Sequence, residues 1–556
     1  MYAGMDQDIW DRRGVLGAAF AGAVGLTLPG MAGAGEQAPT GAVETTSGKV
    51  RGTRAGGVSR FLGIPYGSDT GLRRFQPATA PAPWTGVRDC NALGHKAPQG
   101  VITLPGIMGK VDPRARGLSV VMAVANLTNA QLAESEDCLV LNVITPDASS
   151  ARKRPVMVWL HGGAFAMGSG LDPMTDGSEL ARRGDVVFVS LNHRLNAMGF
   201  LYLGGLHEDF ADSGNVGMLD IVLALEWVRD NIASFGGDPE NVTIFGQSGG
   251  GAKVSTLLGM GPASGLFHKA IAMSGPIVSL VTKADAEEIA GQTIAGLGIS
   301  GSDVHALQKV DRQKVIAAAS AVRLPSAGTG LAAGTLAPMV DGRSILADPF
   351  DPAATDISRN VPLMLGSAKD EATLFMASDP ELGAMSEDHA RARFAAVLGD
   401  RGAASFDAYR AAYPKDDPSY LVTSMMTDRL FRSDSIAMAD RKSAQNAAPV
   451  YLYRIDYEPR VVDRLLRSPH GTEVPLVFGT KVPVGFIGEG AEVDALCDVM
   501  MTAWLDFAKT GKPSGRHLDW PRYNARSRPN MIFDVVPHLV NDPDPVARSP
   551  VARGRA

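Results

Sequence analysis

"NVTIFGQSGG", residues 241–250, places Ser248 between glycines directly after an apolar run patterned like a β-strand. A strand that passes through G-x-S-x-G into a small-residue helix start must turn sharply, and side chains at the flanking positions would collide with neighbouring backbone. Glycine relieves that crowding.

The pattern around this turn extends along the chain. Apolar, β-rich runs recur as "PVMVWL" (155–160), "DVVFVSL" (185–191), "VTIF" (242–245), "KAIAM" (269–273), "VPLML" (361–365) and "VYLYRI" (450–455). Longer helical patterns alternate with them, such as "LDIVLALEWVRDNIASF" (219–235), which stops before "GGDPE". This alternation predicts an α/β fold, a large, mostly parallel central sheet flanked by helices. In such sheets reactive groups gather where strands end and helices begin, which is where Ser248 falls.

A serine hydroxyl is a weak nucleophile at neutral pH. It needs a base, usually histidine, and the base needs a carboxylate to fix its tautomer. In the strand–turn–helix arrangement the chain order is serine, acid, histidine. His470 in "SPHGTEVPLVFG" is the candidate base, because it follows the strand-like "VYLYRI" in a Pro/Gly-bearing loop. His389, His517 and His538 lie in charged or late segments and read as surface residues. The acid is sought after "VPLML", where Asp370 and Glu371 are adjacent, and pattern alone does not choose between them. "VWLHGGAFAMG" (158–168) supplies the other requirement: small residues after a strand that let a substrate carbonyl reach main-chain amides. His161 within it reads as a structural hydrogen-bonding residue.

Composition narrows the classes. The chain has 556 residues, 45% hydrophobic and 20% charged, with net charge −6, which excludes a disordered chain and argues against nucleic-acid binding. No internal repeat or long linker divides it, so one large unit with insertions is expected over 35–545, followed by a tail at 546–556. The N-terminal stretch carries Arg12 and Arg13, then a Gly/Ala-rich apolar run, then small residues. That is the order of an export signal of the twin-arginine type, read here as residues 1–34. No later run is apolar enough to span a bilayer, so a periplasmic or secreted protein without stable membrane insertion is expected. Of three cysteines, Cys90 and Cys138 bracket a segment in which a disulfide is expected, worth about 4 kcal/mol of unfolded-chain entropy. Cys497 reads as a buried, unpaired thiol.

The sequence resembles the type-B carboxylesterases of the cholinesterase/lipase group, in the α/β-hydrolase superfamily. The resemblance is carried in order by "FLGIPYG", "RRFQPATAPAPW", "SEDCLVLNV", "VMVWLHGGAF", "NHRLNAMGFL", "GNVGMLDIVLALEWVRDNIASFGGDPENVTIFGQSGGG", "KAIAMSG", "VPLMLGSAKDEATLF", "PHGTEVPLVFG" and "WLDFAKTGKP". It implies an α/β-hydrolase fold whose helical insertions shape an active-site gorge. It also implies Ser248 as nucleophile, Glu371 as acid, His470 as base, and the amides of Gly163, Ala164 and Gly249 as oxyanion donors. The Cys90–Cys138 bridge and an Arg74–Glu136 ion pair are further implications. The activity implied is hydrolysis of a small-molecule ester without metal or organic cofactor. The same machinery acting on an amide, carbamate or lactone, and a non-catalytic binding or adhesion module of the same fold, are the alternatives.

Two departures bear on substrate. The residue before the nucleophile is neutral Gln247, and residues 91–137 contain no Phe, Tyr or Trp, so the acidic and aromatic groups that cholinesterases use to hold a quaternary ammonium are missing. Lys110, Arg114 and Arg116 in that segment read as solvated surface charge. The segments after Gly275 and around 376–440 are expected to build much of the pocket wall.

Overall fold

The computed structural model describes residues 38–100, 132–148, 151–170, 172–322, 324, 336–377, 379–480, 487–513, 518–544 and 546. The expected leader, the residues Lys110, Arg114, Arg116 and His517, and the tail apart from Val546 lie outside the described residues.

Twelve strands form one sheet: β1 (Ala38–Pro39), β2 (Thr53–Ala55), β3 (Val58–Pro65), β4 (Val140–Thr145), β5 (Arg154–Leu160), β6 (Val187–Leu191), β7 (Gly237–Gln247), β8 (Lys269–Met273), β9 (Leu363–Ala368), β10 (Val450–Ile455), β11 (Pro529–Phe533) and β12 (His538–Asn541). Their spatial order is β1-β2-β3-β4-β6-β5-β7-β8-β9-β10-β11-β12. The pairs from β6 to β11 are parallel, and antiparallel strands lie on both flanks. The expected mostly parallel sheet is therefore present. Val43–Thr45, Gly48–Arg51 and Val87–Asp89 make a separate three-stranded sheet.

Alternation along each strand divides the core into two layers, because successive side chains point to opposite faces. Val156, Val158 and Leu160 of β5 join Val242 and Ile244 of β7 on one face, together with helix α1 (Val216–Asn231) and helix α2 (Gly249–Leu257). Met157 and Trp159 join Phe245, Ile271 and Met364 on the other, under helix α4 (Ala491–Thr510), which follows the short helix α3 (Glu473–Phe478). Both faces being covered explains why the central strands read as continuous apolar runs. Helix α1 ends where a short 3-10 turn reaches Gly236, whose φ of 83° supplies the left-handed stop anticipated at "GG".

The strand order reverses around β5: β6 lies on one side and β7 on the other. The loops after β5 and β7 therefore open from adjacent strands at the switch point, the crevice where ligands bind in open α/β sheets. Between β9 and β10 the chain makes an insertion of helices Glu387–Leu398, Gly402–Ala412, Pro418–Thr427 and Ser433–Ala444.

The expected Cys90–Cys138 disulfide is not formed; both residues, like Cys497, are buried thiols outside any disulfide. Register explains it. The Leu62 N–H bonds to the Cys90 carbonyl, whereas the Tyr66 N–H bonds to the carbonyl of Leu139, beside Cys138. Four residues therefore separate the points at which the two cysteine segments meet this stretch of chain. Burial pushes the Cys90 thiol up to about 11 and that of Cys138 further still. The Arg74–Glu136 pair does form, Nε to Oε2 at 2.7 Å.

Candidate active site

Strand β7 ends at Gln247 and α2 begins at Gly249, leaving Ser248 alone at the turn with φ 58° and ψ −124°. A non-glycine residue there is strained, and such strain persists only where its surroundings fix it. The Ser248 N–H donates to Met273 O at 2.9 Å, and its carbonyl accepts from Ala252 N at 2.9 Å. The flanking glycines admit close backbone: a Cβ on Gly249 would lie 2.2 Å from Ala164 O, and one on Gly250 would lie 1.9 Å from Leu160 O. The start of α2 thus presses directly on the loop that follows β5.

That loop, His161–Met167, turns back on itself with φ of 89° at Gly163 and 51° at Ala164. Its carbonyls are engaged. Gly162 O lies 2.8 Å from His161 Nδ1, Gly163 O accepts from the amides of Ala166 and Met167, and Phe165 O accepts from Asn196 N. Lys253 Nζ donates to His161 O at 3.0 Å and to Ala164 O at 2.8 Å. The amides of Gly163, Ala164 and Gly249, by contrast, donate to no described residue. A Cβ on Gly162 would come within 3.6 Å of Ser248 Cβ, so this loop borders the serine. Burial, with the Lys253 charge, brings His161 down to about 3, so its ring is neutral, and it stacks on His193 at 5.0 Å. This matches the structural reading of His161.

Glu371 follows β9 and is fully buried. Its Oε1 accepts from Ala368 N at 2.7 Å, and its Oε2 forms a short hydrogen bond with His470 Nδ1. The other ring nitrogen of His470 lies 3.3 Å from the Gln247 amide nitrogen, beside the serine turn. Asp370, the alternative acid, points away: its Oδ2 accepts from Ser468 N, and its backbone N–H donates to Ser468 O at 3.0 Å. It ties the acid loop to the histidine loop, while Glu371 alone of the two touches the imidazole. Burial lowers the pKa of His470, but the charge and hydrogen bond of Glu371 outweigh it and hold the imidazole above 6.5.

Several groups escaped the sequence reading. Glu473, three residues beyond His470 at the start of α3, is fully buried; its Oε1 accepts a short hydrogen bond from Ser274 Oγ, and its Oε2 has no partner among the described residues. Burial, then the charge of Glu371, raises it to about 7. Its signal was present in "HGTEV", a carboxylate three residues from His470. Phe375 and Phe431 lie 5.2 and 5.0 Å from the His470 ring. Phe431 sits in a π-helical turn, Asp428–Arg432, inside the insertion expected to form pocket wall.

A sheet of this topology, with a serine at the strand–helix turn and a buried carboxylate–imidazole pair beside it, is that of an α/β-hydrolase. The carboxylesterase family model matches residues 39–542, and the chain belongs to this family of carboxylic ester hydrolases. It is 35% identical over 507 residues to para-nitrobenzyl esterase of Bacillus subtilis (strain 168), spanning 90% of this chain and 96% of that protein. It is 31% identical over 491 residues to phenmedipham hydrolase of Pseudarthrobacter oxydans, spanning 86% and 92%. The crystal structure of Geobacillus stearothermophilus carboxylesterase EST55 superposes with a TM-score of 0.76 at 35% identity, covering 91% of this chain and 99% of that one.

Proposed function

We propose that this carboxylesterase acts through Ser248 as nucleophile, His470 as general base and Glu371 as the acid that orients it. His470 Nε2 takes the hydroxyl proton as Ser248 Oγ attacks the ester carbonyl. The oxyanion is held by the amides of Gly163, Ala164 and Gly249, and His470 returns the proton to the departing alcohol. Water then attacks the acyl-enzyme by the same proton route in reverse, releasing the acid. The observation that carries this reading is the imidazole itself: one nitrogen is bound to buried Glu371 and the other faces the residue beside Ser248. The free amides of the β5 loop and of Gly249 support the oxyanion assignment.

The substrate class proposed is a small carboxylic ester, in keeping with the para-nitrobenzyl esterase likeness. The missing acidic and aromatic groups argue against choline esters. Residues 35–545 are proposed as one catalytic domain behind an export leader at 1–34, on the strength of Arg12, Arg13 and the Gly/Ala-rich run that follows.

The test is hydrolysis of p-nitrophenyl esters, acetyl through long acyl, by the wild type and Ser248→Ala in parallel. Loss of at least a thousand-fold in the variant is expected, and undiminished turnover would reject the serine mechanism. Cell fractionation of the full-length chain tests export: an uncleaved cytoplasmic product would reject it.

A further inference from the structure

Lys253 stands out in "SGGGAKVSTLL" as the one ionisable residue among small and apolar neighbours. It lies on α2, one turn beyond the serine, and is fully buried. Among the described residues no carboxylate pairs with it. Its ammonium donates to His161 O and Ala164 O and lies 5.3 Å from the centre of the Phe165 ring. Burying an unpaired ammonium is costly, and here burial brings its pKa down to about 7. A methionine would fill similar space without that cost, so the charge invites a reason connected with the two carbonyls it holds.

Those carbonyls have a particular place in the loop. The amides of Gly163 and Ala164 belong to two successive peptide planes, 162/163 and 163/164. Lys253 grips the planes on either side of them, 161/162 through His161 O and 164/165 through Ala164 O. Both grips run to α2, whose first residue, Gly249, bears the third free amide and would bring a Cβ to 2.2 Å from Ala164 O. One side chain therefore links the three donors into a single rigid unit, with a positive charge directly behind it. Donors aimed in advance at a developing oxyanion are where electrostatic catalysis acts most strongly.

We infer that Lys253 is a positioning residue for the oxyanion hole, locking the peptide planes that flank the Gly163 and Ala164 amides to the helix that carries the Gly249 amide. The inference rests on the proposed serine mechanism. Lys253 touches no substrate; it acts through the loop. Its loss falls on transition-state stabilisation and spares ground-state binding.

The test compares wild type, Lys253→Met and Lys253→Gln with p-nitrophenyl butyrate as substrate and an alkyl trifluoromethyl ketone as transition-state mimic. Ser248 Oγ adds to the ketone carbonyl while its proton passes to His470, leaving a hemiketal oxyanion in the hole. For Lys253→Met, kcat is expected to fall by about 10- to 100-fold, in line with loosening an oxyanion donor. KM should stay within about threefold, and Ki for the ketone should rise by the same factor as kcat falls. Lys253→Gln, which keeps a donor, should lie between the two. A folded Lys253→Met enzyme with unchanged kcat and Ki, or a loss confined to KM, overturns the inference. Should Lys253→Met not fold, parallel changes of kcat and Ki in Lys253→Gln support it and their absence overturns it. Labelling of wild-type Ser248 by a fluorophosphonate separates the levels: an unlabelled wild type defeats the serine mechanism, whereas a labelled wild type with an unaffected variant defeats the role of Lys253 alone.

Discussion

Replacing Glu473 by Gln isolates the energetic cost of the second buried carboxyl beside the His470 imidazole. Burial and the Glu371 charge raise its pKa from 4.5 to about 7 in the folded protein. A carboxyl raised in this way binds a proton more tightly folded than unfolded. Its contribution to stability is fully present below pH 4.5 and is lost as pH rises to about 7. At about 1.4 kcal/mol per pH unit, the interval integrates to roughly 3 kcal/mol. Glutamine keeps the shape and the acceptor for Ser274 but cannot ionise. The variant should therefore match the wild type near pH 4.5, gain on it progressively, and exceed it by about 2–3 kcal/mol at pH 8. Urea unfolding followed by tryptophan fluorescence at intervals from pH 4.5 to 8 measures the difference. Asp370 and Asp428 are also raised by burial, to about 6 each, and their effects cancel between the two proteins. The ionised Glu473 also raises His470, so the acid limb of kcat/KM should move to lower pH in the variant. A stability difference independent of pH would refute the reasoning.

Three further outcomes follow from the geometry. Glu371→Gln should cut kcat by about 10³- to 10⁴-fold with the fold intact, while Asp370→Asn, which lacks contact with the imidazole, should cost far less; p-nitrophenyl ester kinetics and circular dichroism decide, and the reverse order would reassign the acid. Gly250→Ala drives a Cβ to 1.9 Å from Leu160 O, so α2 must lift from β5; stability should fall by up to about 3 kcal/mol and kcat by about 100-fold, read by melting and turnover. Alkylation of the denatured, unreduced protein should modify Cys90, Cys138 and Cys497 alike, and a mass increase at Cys497 alone would restore the bridge.

What the sequence made legible was local. The turn at Ser248, the loop at His161–Ala164 and the loop at His470 each carry glycine or proline at a strand end, and chain geometry demands those residues there whatever the rest of the fold does. The apolar, β-rich runs of β5 and β7 likewise announced strands of a sheet covered on both sides. The choice between Asp370 and Glu371 was not legible from pattern, because adjacent carboxylates after a strand differ only in which way the turn aims them. Glu473 and Lys253 were missed for a related reason: one stands three residues from His470 and the other alone among small and apolar neighbours, but only packing by distant segments makes each buried. The cysteines misled because spacing along the chain says nothing of where each segment meets β3 and the residue just past it, and four residues separate those anchoring points.

The two hydrogen bonds of the His470 imidazole join residues 99 and 223 positions apart in the chain. Local contacts cannot hold that ring, and closing such loops is the slow part of building a fold. A nascent chain that has not yet delivered its last strands, or one nicked so that the region around His470 drifts from β7, lacks the proposed base although its serine turn is already shaped. Ester hydrolysis should therefore appear late and all at once as the polypeptide matures, which keeps an unfinished hydrolase harmless to the cell that makes it.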